Sequence, residues 1–194
     1  MIVLASKSSS RQTMLTAAGV SFAAVPAKLD ERALEQSLGD ASPPDVARSL
    51  AEAKAQAVSL THPGALVLGS DSLVVVEGQR FDKPADREQA AIHLRRFSGK
   101  MMELHSAAAL VRDGEVLWSH ADCARLQVRH LSDAFIDAYL TAEWPEVGYC
   151  VGVFRIEAMG VQLFESIAGD QFTVLGMPLL PVLAALREFG ELQS

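Results

Sequence analysis

Two short polar runs break into apolar sequence and carry groups able to do chemistry. The first, Ser6-Lys7-Ser8-Ser9-Ser10-Arg11, follows the wholly apolar Ile2-Val3-Leu4-Ala5. It opens a helical pattern with Arg11, Met14, Leu15 and Ala18 at i, i+3, i+4 and i+7. A hydroxyl-rich turn between a strand and a helix gathers unpaired backbone N–H groups at the positive end of a helix dipole, which suits a phosphate. Arg11 adds a guanidinium where the apolar stripe would take another hydrophobe. The same residues also make a capped helix after an edge strand, with Arg11 reaching to water. The second run, Gly69-Ser70-Asp71-Ser72, lies between Ala65-Leu66-Val67-Leu68 and Leu73-Val74-Val75-Val76. A carboxylate inside core sequence is costly unless it is paired, metal-bound or protonated. Gly69 would permit a bulge that re-aims it. A strand–turn–strand connection with a solvated Asp71 fits the same residues.

Three further charged residues belong with these. Lys54 falls on or beside the face formed by Ala47, Leu50, Ala51 and Val58, where snorkelling is the ordinary account. Pro84 holds Lys83 in an extended loop. Glu31, after Asp30, is an ordinary first-turn carboxylate when taken alone.

The elements that must position these groups alternate between strand and helix. Phe22 to Pro26 reads as a short strand, and a polar helix runs from Asp30-Glu31 to about Leu38. Pro43-Pro44 starts a long helix that stops at His62-Pro63-Gly64. Glu77-Gly78 reads as a turn, and a helix spans about Asp86 to Phe97, closed by Gly99. Leu104 to Val111 and Leu117 to Val128 are strand-like, joined at Arg112-Asp113-Gly114. Leu131 to Ala142 is a helix capped by Ser132 or Asp133. The last third reads as short strands punctuated by Gly152, Gly160 and Gly169, then a helix from Pro178 to Arg187. This alternation predicts an α/β fold with a mixed sheet.

At 194 residues and 49% apolar, the chain can bury a substantial core. A net charge of −7 without a basic stripe argues against nucleic-acid binding, but not against a small anion met by a few local cations. No apolar stretch is long enough for a membrane span, and no signal peptide is evident. Cys123 and Cys150 lack metal-ligand spacing, which predicts thiols in a reducing, cytoplasmic compartment. Walker-type, dinucleotide-binding and Gly-x-Ser-x-Gly motifs are all missing.

In chain order, Leu4-Ala5-Ser6 with Arg11, Asp30-Glu31, Leu50-Ala51-Glu52-Ala53-Lys54-Ala55, Gly69-Ser70-Asp71, Lys83-Pro84 and Ser98-Gly99 resemble the Maf family of nucleoside triphosphate pyrophosphatases. Gly169-Asp170 followed by Leu175-Gly176-Met177-Pro178-Leu179 resembles that family's closing motif, so the likeness runs from about residue 2 to 189. The resemblance implies one domain over 1–194: a mixed twisted sheet flanked by helices, with a cleft between two lobes, similar to the inosine triphosphate pyrophosphatases. It implies cleavage of the α–β phosphoanhydride of a nucleoside triphosphate, with a divalent Mg or Mn cofactor, in a homodimer. The associated cellular roles are removal of non-standard nucleotides and septum formation. A nucleotide-binding regulator without turnover is the alternative from another class.

By the same resemblance Arg11, Lys54 and Lys83 are phosphate-binding cations, Glu31 and Asp71 hold the metal, and Asp71 is also the general base. These are the groups that phosphoanhydride hydrolysis requires. Ser6, Ser8 and Ser10 would bind substrate through hydroxyl and backbone N–H groups. Family members often carry Pro-Arg at positions 9 and 10, where this chain has Ser9-Ser10. Members cleaving dTTP and UTP carry Thr and Gln where this chain has Ser72 and Glu157. Glu157 and Arg129-His130-Leu131-Ser132 look more like the 7-methyl-GTP subgroup, although that subgroup has bulky residues in place of Ser10 and Ser72. A carboxylate can accept hydrogen bonds from guanine N1–H and the exocyclic amine, which implies a preference for guanine-type bases.

Overall fold

A computed structural model describes residues 1–193. The chain begins with β1 (Ile2–Leu4), α1 (Ser9–Ala17), β2 (Phe22–Ala24), α2 (Glu31–Ser37), α3 (Pro43–Ser59), β3 (Val67–Val76) and β4 (Gln79–Phe81). It continues with α4 (Arg87–Phe97), β5 (Met101–Arg112), β6 (Glu115–Val128) and α5 (Asp133–Glu143). Two 3-10 turns follow, Glu146–Tyr149 and Met159–Leu163, then β7 (Phe164–Ala168), α6 (Gln171–Val174) and α7 (Leu179–Glu188). The strands form a mixed sheet in the order β2-β1-β3-β5-β6-β7, with β4 pairing to β3 off this path. β1 runs parallel to both neighbours, setting Val3 against Ala23 and Val67. β4 and β7 are antiparallel to β3 and β6. The α/β class and mixed sheet read from the sequence are the ones the chain forms.

Helix starts follow local chemistry. The side chains of Ser8, Asp30, Asp86, Ser132 and Asp170 accept a backbone N–H in the first turn of α1, α2, α4, α5 and α6. α3 starts on Pro43-Pro44, where a missing N–H costs nothing. No helix among the described residues is long and apolar enough to cross a membrane.

The chain divides into two compact units, one comprising Met1–Ser72, His105–Asp122 and the residues from Asp170 onward, the other Leu73–Leu104 and Cys123–Gly169. In the first unit the alternation of strand side chains builds two cores. Ile2, Leu4, Leu66 and Leu68 pack with Met14 and Leu15 of α1 and with Val182 and Leu186 of α7. Val3, Ala5 and Val67, pointing the other way, pack with Ala55 and Val58 of α3. Full burial of each large aliphatic side chain contributes about 1.5–3 kcal/mol. In the second unit Phe81 meets Phe97 and His93 edge-on, at 4.8 and 5.2 Å between ring centroids. Burial and the nearby Arg96 hold the His93 imidazole below its usual pKa, against an opposing pull from Asp82.

Three features differ from the sequence reading. β3 runs unbroken through Gly69-Ser70-Asp71-Ser72, because Ser70, Asp71 and Ser72 each find a polar partner on their own face and Gly69 fits against α3 only by lacking a side chain. β4 is a three-residue strand too short to leave a periodic signal. Between α5 and β7 the expected short strands are replaced by 3-10 turns and irregular backbone. There side chains help satisfy the backbone, as where the Tyr139 hydroxyl donates to the Val153 carbonyl at 3.0 Å.

Candidate active site

Period-2 alternation along β3 sorts its polar run into two faces. Gly69 and Asp71 face α3, while Ser70 and Ser72 face the segment after α6. Gly69 lies so close to α3 that an added Cβ would collide with the Ala51 carbonyl oxygen and stand 2.9 Å from the Ala55 Cβ. Its expected role as a bend is replaced by that of a spacer. The close approach lets Lys54, between those two alanines on the helix, reach the carboxylate two residues further along the strand. Gly69→Ala should therefore cost about 2–3 kcal/mol of stability, visible as a fall in Tm on the order of 5–10 °C. An unchanged melting curve would show that the helix and strand can separate at no cost.

Lys54 is clamped between two carboxylates, with its Nζ 2.5 Å from Asp71 Oδ1 and 2.9 Å from Glu31 Oε2. The lysine and Asp71 side chains are only 12% and 11% exposed, whereas Glu31, in the first turn of α2, is 48% exposed. This is not a snorkelling lysine, because its charge is met inside the fold. Each carboxylate gives Lys54 one oxygen. Two carboxylates with further oxygens are a donor set that suits a hard divalent cation completed by water and phosphate oxygens, the usual habit of Mg²⁺. Among the described residues no group of three His, Cys, Asp or Glu side chains converges.

Arg11, half-buried, anchors the other side of β3. Its Nε donates to the Gly176 carbonyl at 3.0 Å, Nη2 to Ser72 Oγ at 3.1 Å and Nη1 to Ser6 Oγ at 3.4 Å. Desolvation lowers its pKa, while the Asp71 and Glu31 charges oppose the shift; a guanidinium stays cationic under such terms. Ser72 lies 3.0 Å from Ser106 Oγ, which donates to the Thr173 carbonyl at 2.9 Å. The Thr173 hydroxyl donates to Asp122 at 3.0 Å. Ser72 thus accepts from Arg11 and has two acceptors within reach of its one proton, the Gly176 carbonyl at 2.9 Å and Ser106 Oγ at 3.0 Å, while the Ser106 proton is engaged by the Thr173 carbonyl.

The opening loop is organised by its own serines. Ser6 Oγ accepts from the Ser8 N–H at 3.1 Å, Ser8 Oγ accepts from the Arg11 N–H at 3.5 Å, and Ser10 Oγ donates to the Leu175 carbonyl at 2.9 Å. Ser6 and Ser8 act here as acceptors, so their hydroxyl hydrogens remain to meet an anion. Ser6, Ser8, Ser10, Arg11, Glu31, Lys54, Asp71 and Ser72 all belong to the first unit, with Glu31, Lys54 and Asp71 joined on the α3 face of β3 and Ser6, Arg11 and Ser72 joined on the other face. Lys83 and Glu157 belong to the second unit, both exposed, and their charges act on the same Cys150 thiol. Burial and Glu157 push that thiol up to about 11, with Lys83 and Arg155 opposing.

Sequence reasoning missed Ser106, Thr173 and the Gly176 carbonyl. His105-Ser106 does leave a signal, as a polar pair inside an otherwise apolar strand. The sequence profile of the Maf-like protein family matches residues 1–189. The chain belongs to the Maf family. This Maf-like chain is 50% identical over 195 residues to a protein of Mesorhizobium japonicum named 7-methyl-GTP pyrophosphatase, covering 100% of this chain and 98% of that one. It is 47% identical to a protein of Rhizobium meliloti of the same name, with the same coverage. A Rhodopseudomonas palustris protein named nucleoside triphosphate pyrophosphatase is 47% identical, over 96% of this Maf-like chain and 92% of the relative. Among solved structures, a nucleoside-triphosphatase / dITP/XTP pyrophosphatase from Mycobacterium abscessus aligns with a TM-score of 0.39 and 20% identity, over 66% of this chain and 72% of that one.

Proposed function

We propose that this Maf-like protein hydrolyses the α–β phosphoanhydride of a nucleoside triphosphate, giving the monophosphate and pyrophosphate, with a guanine-type base such as that of 7-methyl-GTP preferred. The observation that carries the reading is Lys54 held between Asp71 and Glu31, with Arg11 across the strand. In an acidic chain of net charge −7, this pairing keeps a cation and two carboxylates fixed at one place. Arg11, Lys54 and Lys83 receive the phosphate oxygens, and the Ser6 and Ser8 hydroxyls add hydrogen bonds. Asp71 takes the proton of the attacking water, its position fixed by Lys54. Glu31 and Asp71 would hold Mg²⁺ or Mn²⁺, which when bound supplies charge neutralisation to the phosphates. The reading extends to a cytoplasmic homodimer, as the family likeness implies; Cys123 and Cys150, outside any disulfide, suit a reducing compartment.

Pyrophosphate release from 7-methyl-GTP, GTP, ATP, dTTP and UTP, each with Mg²⁺ or Mn²⁺, tests the reaction. Monophosphate plus pyrophosphate is the expected product pair, and no turnover of any member would overturn it. Glu157→Gln is expected to lower the kcat/KM ratio of 7-methyl-GTP to UTP about tenfold, since a carboxamide no longer accepts from both guanine donors. An unchanged ratio would remove Glu157 from base recognition.

A further inference from the structure

Around Glu157 the irregular segment between α5 and β7 is tied down at several points. Glu143, on the last turn of α5, is a buried carboxylate with both oxygens in use. Its Oε2 accepts from Arg155 Nε at 3.0 Å and Nη2 at 2.9 Å, and its Oε1 accepts from the Met159 backbone N–H at 3.4 Å. One turn earlier on α5, the Tyr139 hydroxyl holds the Val153 carbonyl. Val153 is fully buried at φ +55°, a left-handed conformation that strains a β-branched residue by about 1–3 kcal/mol. Such strain persists only where surrounding contacts dictate it. Gly160 closes the loop by lying against the Arg155 backbone, where a Cβ would collide with the carbonyl oxygen. Within this tied loop Glu157 is the exposed carboxylate. A solvated loop needs none of this support, whereas a recognition group gains affinity from being held in place before its ligand arrives.

We infer that Glu143 is a positioning residue for base recognition: through Arg155 and the Met159 N–H it fixes the 153–159 loop so that Glu157 meets the base at low entropic cost. This rests on the proposed reading of Glu157 as the base-facing carboxylate. The test compares Glu143→Gln, Arg155→Gln and Glu157→Gln in the full-length protein, with 7-methyl-GTP, GTP and UTP as substrates and inorganic pyrophosphate as inhibitor. Glu143→Gln and Arg155→Gln are each expected to raise KM for 7-methyl-GTP and GTP about five- to twentyfold, with kcat and the pyrophosphate inhibition constant within about twofold of the parent. The KM for UTP is expected to move far less, and hydrogen exchange at the Met159 amide to quicken at least tenfold in Glu143→Gln.

Loss of base discrimination in Glu157→Gln alone, with both other variants folded and unchanged in their KM ratios, overturns the positioning role and leaves the reading of Glu157 intact. Loss in Glu143→Gln and Arg155→Gln but not in Glu157→Gln overturns that reading and, with it, the assignment of Glu157 as the group positioned. A uniform rise in KM for all three nucleotides overturns the inference, because a merely structural role would act that way. Should either single variant lose its cooperative unfolding transition, the double variant Glu143→Gln with Arg155→Gln decides the matter by the same KM ratios, since it leaves no buried carboxylate without its cation.

Discussion

Asp71→Asn should reduce pyrophosphate release by about 10²–10⁴-fold with every nucleotide the protein accepts. β3 places Asp71 on the face that Gly69 opens to α3, so the side chain enters a nearly enclosed space and meets Lys54 at 2.5 Å. Asparagine has the same shape and can still accept a hydrogen bond from Lys54. What it cannot do is take a proton from water or present an anionic oxygen to a cation. In the proposed reaction the cations that receive the phosphates are retained, so KM is expected to change far less than kcat, the pattern of an interaction made in the transition state. The fold should survive, because Lys54 keeps Glu31 at 2.9 Å and the core around Val67 and Ala55 is untouched. A coupled pyrophosphate assay together with a melting curve gives both readings. Turnover near the parent rate would take Asp71 out of the reaction and return it to the role of a buried ion-pair partner.

Most of the frame that holds this carboxylate was legible in the sequence, for a local reason. Caps, prolines and apolar periodicity act over a few residues, and Ser8, Asp86, Ser132 and the Pro43-Pro44 pair mark their helices wherever the rest of the chain goes. The polar residues at 11, 31, 54 and 71 stood out for the same reason, since each departs from its neighbours or joins a motif in sequence order. The conformation of Gly69 to Ser72 was not legible. Its polar side chains argue for a turn when read alone, and only the Gly176 carbonyl, 104 residues from Ser72, and Lys54 on α3 make a continuous strand affordable. Glu143 left no signal at all. At the end of an amphipathic helix it looks like any solvated carboxylate, and its burial depends on Arg155 and Met159 returning from an irregular segment. Ser106 lies between these cases, a visible oddity in an apolar strand whose meaning depends on the distant Ser72 and Thr173.

Lys54→Met should lower both activity and stability, and the two losses can be separated. Methionine fills much of the lysine's volume, so the packing of α3 on β3 is nearly retained while the charge is lost. Asp71, 11% exposed, is then left as an anion facing another anion across the vacated position. Removing one partner of a pair this enclosed costs about 3–5 kcal/mol when burial is complete, and somewhat less here because the more exposed Glu31 can turn to water. The expected fall in Tm is on the order of 6–12 °C for a chain of this length. Pyrophosphate release is expected to fall about 10²–10³-fold, since a fixed cation is lost from the phosphate side of the reaction. Lys54→Arg should restore little of it, because a single Nζ donates to both carboxylates and a planar guanidinium fork cannot reproduce that geometry. The decisive comparison is the double variant Lys54→Met with Asp71→Asn. Neutralising both members of the pair removes the uncompensated charge, so stability should recover by about 1–3 kcal/mol relative to Lys54→Met alone, a coupling typical of directly contacting groups. Activity should not recover at all. Parallel recovery of stability and turnover would take both residues out of the reaction, whereas recovery of stability by itself separates the two losses and leaves the fall in turnover of folded Lys54→Met as the measure of the lysine's part in the reaction.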